Sequence, residues 1–223
     1  MTYVVSNLHG NYRKFLSLLK KIKFGEDDVM YVLGDIVDYG DEPMELIEDL
    51  SVRLNVYPIA GEHDYLAVRM LSGFDRMLKS GETPEPEYIS EMTAWVSDGG
   101  QQTLDAFRAL DGERREGVLD YLGDMALFEE TEVNGTVYLL VHAGIAGYRK
   151  EKDLEEYLPD DFFSEPLDPE IRMSEDMTVI VGHTPTKSGR IERGEGSIFL
   201  DCGLADGGKL GCLCLETGEE TYV

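Results

Sequence analysis

Three apolar runs near the start of the chain, each followed by a polar or glycine-bearing loop, most constrain its fold. They cover Thr2–Ser6, Val29–Leu33 and residues 55–60, and their aliphatic and β-branched side chains predict buried strands. Each loop leads into apolar residues at helical spacing, such as Phe15 and Leu19 after the first run. Strand, loop and helix repeated in this order predict a parallel sheet with crossover helices.

The second half of the chain has a different pattern. Helical spacing continues through three segments, residues 88–96, 101–110 and 113–122. Short strands are then predicted at residues 137–141, Thr178–Val181, 197–200, 209–215 and 220–223, the last two as a hairpin. We therefore expect one domain, residues 1–223, of the α/β (α+β) class. Two β-sheets should pack face to face as a sandwich with helices outside.

One segment interrupts the strands of the second half. Residues 151–176 hold eleven acidic and two basic residues and three of the eight prolines. This composition predicts a surface excursion with one short helix near residues 154–158.

The charge of the chain limits its partners. Acidic residues outnumber basic ones by 45 to 20, so the formal net charge is −25. That field repels polyanions, which argues against a nucleic acid polymer as partner, and it attracts cations, including metal ions. No stretch is long enough to span a membrane, and no secretory signal precedes the first strand. Three cysteines without a Cys-x-x-Cys pair predict reduced thiols in a cytoplasmic protein.

The four histidines occupy equivalent places. His9, His63, His142 and His183 each follow an apolar run, and each has a glycine within two residues. A single histidine at a strand end is more often structural than a metal ligand. Four in the same kind of position are more informative, because strands of one sheet open their carboxyl ends onto a common edge. We expect the four imidazoles to converge there.

Carboxylates accompany these histidines. Asp35 directly follows the second strand, Asp38 comes three residues later, and Glu62 precedes His63. Mixed imidazole and carboxylate ligands suit Mn²⁺, Fe²⁺ or Zn²⁺. A carboxylate that bridges two such ions would make a dinuclear site able to support displacement at phosphorus.

Five ordered segments, "NLHGN", "GDIVDYG", "GEHD", "VHAG" and "VGHTP", resemble the sequence blocks of the calcineurin-like metallophosphoesterases. The likeness is greatest to small bacterial and phage-type Ser/Thr protein phosphatases and to diadenosine tetraphosphatases. "WVSDGGQQTL" and "FLDCGLADGGKLGCLCLETG" resemble further segments of that group, so the likeness covers nearly the whole chain. It implies the two-sheet sandwich of the family.

The resemblance also implies roles for individual residues. Two divalent metal ions (Mn, Fe or Zn) would be bound. The ligands of the first would be Asn7, His9 and Asp35, and those of the second Asp35, Glu62, His142 and His183. His63 would protonate the leaving alcohol and Asp38 would orient it. A metal-bound hydroxide would hydrolyse the phosphate ester of a phosphoprotein, nucleotide or phosphodiester.

Four positions depart from the family pattern. Position 7 is Asn instead of Asp, and position 62 is Glu instead of Asn, which moves a negative charge from the first metal to the second. Position 39 is Tyr where the family has a phosphate-binding arginine, and "DDFFSE" at residues 160–165 lacks the arginine of a later block. Tyrosine does not replace bidentate arginine contacts. We expect a firmly bound metal at the second position, a weak or absent one at Asn7 and His9, and Tyr39 at the substrate.

Three hypotheses follow from these residues, of which the third is a metal-binding module of unrelated purpose. The first is an active metal-dependent phosphoesterase with a modified site, and the retention of His63 and Asp38 favours it. The alternative is a catalytically impaired protein of this fold with a metal-binding or regulatory role, which the missing arginines favour.

Overall fold

The three apolar runs at the start of the chain form neighbouring parallel strands. In the computed structural model, which describes residues 1–81 and 83–223, β1 (Thr2–Ser6) pairs with β2 (Val29–Leu33), and β2 pairs with β3 (Val56–Ile59). The C-terminal hairpin, β9 (Gly211–Cys214) and β10 (Glu220–Tyr222), extends this sheet antiparallel to β1, in the order β10-β9-β1-β2-β3.

A second five-stranded sheet comes from the remaining strands. These are β4 (Phe128–Val133), β5 (Thr136–Val141), β6 (Thr178–Val181), β7 (Glu192–Gly194) and β8 (Ser197–Phe199). Their order is β4-β5-β6-β8-β7, and β5, β6 and β8 are parallel.

Within residues 1–81 and 83–223, six α-helices connect or cover the strands. They are α1 (Tyr12–Ile22), α2 (Pro43–Ser51), α3 (Glu62–Ser80), α4 (Pro86–Trp95), α5 (Gln101–Ala109) and α6 (Gly112–Gly123). A π-helical turn, Val96–Gly100, joins α4 to α5, and short 3₁₀ turns occur at Leu154–Glu156, Pro159–Phe162 and Leu204–Asp206. Across the described residues, each helix is too short or too polar to cross a lipid bilayer.

Alternate residues of the strands enter two different cores. Val4 and Leu33 share an apolar cluster with Leu140 and Ile180 of the second sheet, so this cluster fills the space between the sheets. The neighbouring residue Val5 belongs to the larger cluster, which contains the buried side chains of the helices. This period of two is what a sheet covered on both faces requires. The predicted sandwich with outer helices is confirmed.

Two strands and one segment differ from the expectations. The predictions omitted β4, whose sequence FEETEV is strongly acidic, and the three-residue β7; both are edge strands, where charged side chains are tolerated. The acidic segment 151–176 forms two 3₁₀ turns instead of one helix. It is also anchored in the core by Tyr157, Phe162 and Phe163, which are buried, so it is not wholly a surface excursion.

Candidate metal and catalytic site

The loops after β1, β2, β3, β5 and β6 meet at one edge of the sandwich. The rings of His9 and His63 lie 5.4 Å apart, and those of His142 and His183 lie 5.0 Å apart. Asp35 joins the two pairs, since its Oδ2 lies 3.9 Å from His9 Nε2 and 3.3 Å from His142 Nε2. The convergence of four imidazoles on this carboxylate, expected from the strand ends, is observed.

Asp35 is the buried centre of this arrangement. Its Oδ1 accepts the backbone N–H of His63 at 3.0 Å, and its Oδ2 accepts an amide hydrogen from Asn7 at 3.1 Å. Burial opposes ionisation, but the neighbouring imidazoles, His142 above all, lower the pKa of Asp35 below its ordinary value. Gly61 is required beside it, because a Cβ there would lie 2.3 Å from Asp35 Oδ1. The site therefore keeps a carboxylate at its centre.

Three side chains fit a divalent metal. Asp35, His142 and His183 each offer one ligand atom, and these atoms lie within 4.8 Å of one another. His142 Nδ1 lies 2.9 Å from the carbonyl oxygen of Leu33, to which it donates, so Nε2 is the ring nitrogen that faces Asp35 and His183. Such a backbone acceptor commonly fixes the tautomer of a metal-binding histidine. Burial and the nearby charge of His142 lower the pKa of His183, which favours the neutral ligand form.

Glu62 stands at the outer side of this group. Its Oε2 lies 3.9 Å from His183 Nδ1, and its side chain is 56% exposed. Glu62 is the first residue of α3, so its carboxylate also lies at the positive end of the helix dipole. Its position is compatible with a fourth ligand at the same metal.

Asn7 takes a different position from that of a metal ligand. Its Oδ1 accepts the backbone N–H of His183 at 2.9 Å, and its Nδ2 donates to Asp35 and lies 3.4 Å from His9 Nε2. These two partners fix the orientation of the amide. The backbone N–H of His183 requires the amide oxygen, and the carboxylate of Asp35 requires the amide N–H. The side chain thus directs hydrogen atoms, not a lone pair, towards the carboxylate and imidazole that would bind a first metal. These residues do not fit that ion.

His63 and the buried Asp38 form a pair beside the metal-binding group. His63 Nδ1 lies 2.8 Å from Asp38 Oδ2, which also accepts Trp95 Nε1–H at 2.8 Å. Asp38 Oδ1 accepts the hydroxyl of Thr103 at 2.7 Å. Burial opposes the imidazolium, but the hydrogen bond with Asp38 and the charge of Asp35 raise the pKa of His63 to about 9. The raised pKa favours the protonated imidazole, whose Nδ1 donates to Asp38.

Tyr39 covers His9 and His63. Its ring packs edge-on against both imidazoles, with centroid distances of 5.0 and 5.2 Å, and its hydroxyl donates to Asp98. Gly99 permits this contact, because a Cβ there would lie 2.7 Å from the Tyr39 ring, and its φ is +91°. Tyr39 therefore places an uncharged aromatic ring beside the two imidazoles of the site.

The nine residues singled out in the sequence thus lie in one connected group, and their individual roles stay predictions. They are Asn7, His9, Asp35, Asp38, Tyr39, Glu62, His63, His142 and His183.

Asp64, which holds the site together, was not identified from the sequence. Asp64 is fully buried, and its carboxylate accepts backbone N–H groups from Ile36, Val37 and Gly61. It thereby fastens the loop after β2 to the start of α3. Burial, reinforced by the charge of Asp35, raises the pKa of Asp64 to about 7. The motif "GEHD" contains it, but only the fold shows which N–H groups it binds.

Trp95 and Thr103 were also missed as partners of Asp38. Both belong to "WVSDGGQQTL", and the turn between them brings both to the carboxylate. Gly100 is needed because a Cβ there would lie 2.4 Å from the Trp95 ring. One signal in the sequence could have identified these two residues. The only tryptophan of the chain is followed in the same segment by two consecutive glycines.

Comparison with known proteins agrees with this geometry. The profile of the calcineurin-like phosphoesterase family matches residues 2–207. The chain belongs to this family. The resemblance found in the sequence blocks is thereby confirmed, and the chain is classed with the phosphoester hydrolases.

Several curated relatives are symmetrical bis(5'-nucleosyl)-tetraphosphatases. One from Buchnera aphidicola subsp. Acyrthosiphon pisum is 30% identical over 95 residues, 38% of this chain and 35% of that protein. One from Nitrosomonas europaea is 29% identical over 147 residues, 65% of this chain and 44% of that protein. The chain therefore spans about a third of the first relative and less than half of the second.

Solved structures share the fold at low sequence identity. A metallophosphoesterase from Sphaerobacter thermophilus has a TM-score of 0.56 and 16% identity, over 99% of this chain and 86% of that one. A cold-active protein-tyrosine phosphatase of a psychrophile Shewanella sp. has a TM-score of 0.54 and 17% identity, over 99% and 76% of the two chains. These likenesses concern the fold alone.

The hydrogen bond from Trp95 to Asp38 yields a stability prediction. Trp95→Phe keeps an aromatic ring but removes the N–H, and it should lower the free energy of unfolding by about 1.5–3 kcal/mol, because hydrogen bonds to charged groups are the strong ones. Tyr88→Phe, which removes the hydroxyl that donates to the Met70 carbonyl at 2.7 Å, is the matched control and should cost about 0.5–1.5 kcal/mol. Urea denaturation followed by circular dichroism measures both. Equal losses would contradict the charged hydrogen bond.

Proposed function

We propose that this protein is a metal-dependent phosphoesterase with one metal ion, bound by Asp35, Glu62, His142 and His183. The observation that carries the proposal is the cluster of three ligand atoms next to the His63–Asp38 pair. When bound, a divalent ion supplies activation of water and neutralisation of charge on the phosphoryl oxygens.

The protein's own residues supply the proton. As water adds to phosphorus, the bond to the leaving oxygen breaks, and His63 gives its Nε2 proton to that oxygen. Asp38 holds the imidazole by Nδ1 and stabilises its charged form, while Trp95 and Thr103 hold Asp38. This arrangement provides a general acid without any further group.

The charges of the site favour a monoanionic substrate. None of the nine site residues is arginine or lysine, and Glu62 adds a negative charge on the exposed side. A phosphomonoester dianion is repelled more strongly by this carboxylate than a phosphodiester monoanion. We therefore propose a phosphodiester, including a nucleotide of this type, as the substrate class. The names of the curated relatives support the nucleotide, and manganese and a cytoplasmic location stay predictions.

Turnover tests this proposal directly. Purified protein with Mn²⁺ should hydrolyse bis(p-nitrophenyl) phosphate with a higher kcat/KM than p-nitrophenyl phosphate, because the diester carries one negative charge less. A spectrophotometric assay of p-nitrophenolate release measures both. Failure with both substrates and with every divalent ion would favour the alternative, a catalytically impaired protein with a metal-binding or regulatory role, which the exposed charge of Glu62 supports.

The acid role of His63 predicts a dependence on the leaving group. His63→Asn should reduce hydrolysis of a diester with an alkyl leaving group by about 10²- to 10⁴-fold, because an alkoxide needs the proton. The loss should be much smaller with p-nitrophenolate, which leaves as a stable anion. Metal content is measured in parallel. An equal loss for both leaving groups would contradict the acid role.

The hydrogen bonds of Asn7 predict the metal content. Wild-type protein should bind one Mn²⁺ per chain, and Asn7→Asp should bind two, because it replaces the hydrogen atoms facing Asp35 and His9 by a carboxylate. Asn134→Asp, at the turn between β4 and β5, makes the same charge change away from the site and should still bind one. Calorimetric titration and elemental analysis measure the stoichiometry. Two ions bound with equal affinity by the wild type would refute a mononuclear centre.

A further inference from the structure

A surface cavity of ≈ 330 Å³ adjoins the metal-binding group. One wall is a stripe of α3 at positions i, i+3, i+4 and i+7, formed by Glu62, Tyr65, Leu66 and Arg69. The facing wall is formed by Asp160, Phe163 and Ser164 of the segment after β5. Glu62 belongs both to this cavity and to the metal-binding group, so the two are continuous.

An aromatic pair lines the cavity. The rings of Tyr65 and Phe163 lie 5.4 Å apart at an angle of 39°. Phe163 is buried and its ring is 6.2 Å from that of His142, whereas Tyr65 is 43% exposed. An aromatic face thus runs from a metal-binding histidine to an open ring. Exposed tyrosine faces of this kind offer stacking area for a flat ligand.

The spacing along α3 decides what kind of ring fits. With a rise of 1.5 Å per residue, Tyr65 lies about 4.5 Å beyond Glu62 along the helix axis, and Arg69 about 10.5 Å beyond it. An aryl group bonded directly to the phosphate would reach less far along this wall than a ring set back by one sugar. A ring set back by one sugar would reach Tyr65. Asp160 and Ser164 would then be available for hydrogen bonds with its polar edge.

We propose that this cavity binds the nucleobase of a nucleoside phosphate whose phosphate lies at the metal centre. The inference rests on the proposed function for the position of the phosphate, and it adds the residues that recognise the base of such a nucleotide. None of the nine site residues is arginine or lysine, so stacking on the aromatic pair would supply binding that a phosphate-binding cation on the protein does not. Arg69, which is paired with Glu91, closes the far end of the cavity.

Equilibrium binding to the Mn²⁺-loaded protein tests the proposal without turnover. The methyl esters of adenosine 5'-phosphate and of ribose 5-phosphate are both phosphodiester monoanions, and the second carries a hydroxyl in place of the base. The wild type should bind the nucleotide about tenfold more tightly, as expected for stacking of one base. Tyr65→Leu should bring this ratio close to one. Calorimetry with both ligands measures it.

Two further variants make the test independent of a single substitution. Tyr57→Leu removes the exposed ring of another tilted pair, Tyr31 and Tyr57 at 5.6 Å and 33°, on a cavity that shares no residue with the site, and should leave the ratio unchanged. Ser164→Trp, at an exposed wall position, should fill the cavity and also abolish the preference.

The outcomes separate the inference from the proposed function. Equal affinity of the wild type for the two ligands would overturn the inference even if bis(p-nitrophenyl) phosphate is hydrolysed. A preference for the base that Tyr65→Leu removes would support the inference even in a protein without turnover. Phenyl phosphate is the third probe. If its binding depends on Tyr65 and that of the nucleotide does not, the cavity takes a directly attached aryl group and the inference is wrong.

Discussion

The buried carboxylate of Asp35 is the interaction on which the site depends. It accepts hydrogen bonds from His63 and Asn7, residues of two loops of the first sheet, and contacts His142 from the second sheet. An ionised group without water must be neutralised by its neighbours, or burial becomes very costly. The loops of both sheets are therefore held to one another through this charge. A cation bound beside Asp35 would neutralise the charge further than the hydrogen bonds do.

The backbone around this carboxylate is strained. Eight non-glycine residues of the described chain have positive φ, and six of them belong to the site: Asn7, His9, Asp35, Asp38, Tyr39 and His183. Asparagine and aspartate tolerate this conformation better than histidine or tyrosine, and each unfavourable residue costs about 1–3 kcal/mol. The strain turns side chains at the strand ends inward. It persists because buried hydrogen bonds, including those of Asp64, hold the turns in place.

The sequence could predict the fold and the membership of the site, but not its internal bonds. Strands β1 to β3 were predictable because their residues are apolar almost throughout, whereas three of the six residues of β4 are exposed glutamates. The histidines could be located because each follows a strand. The hydrogen bond between Asn7 and His183 joins positions 176 residues apart, and that between Trp95 and Asp38 joins positions 57 apart. Such bonds depend on tertiary packing, which residue types alone do not determine.

The exchange of charge between positions 7 and 62 connects metal binding with substrate choice. Asn7 places hydrogen atoms where the first ion would lie, so Asp35 and His9 are satisfied internally. The carboxylate that position 7 lacks is present instead at Glu62. The side chain of Glu62 is exposed, so water stabilises its ionised form, and it lies beside His183. With the one cation that we propose and no arginine among the nine site residues, the site would hold a phosphate group weakly. Affinity must then come from the rest of the substrate, and the aromatic wall that begins at Glu62 is where apolar burial can supply it.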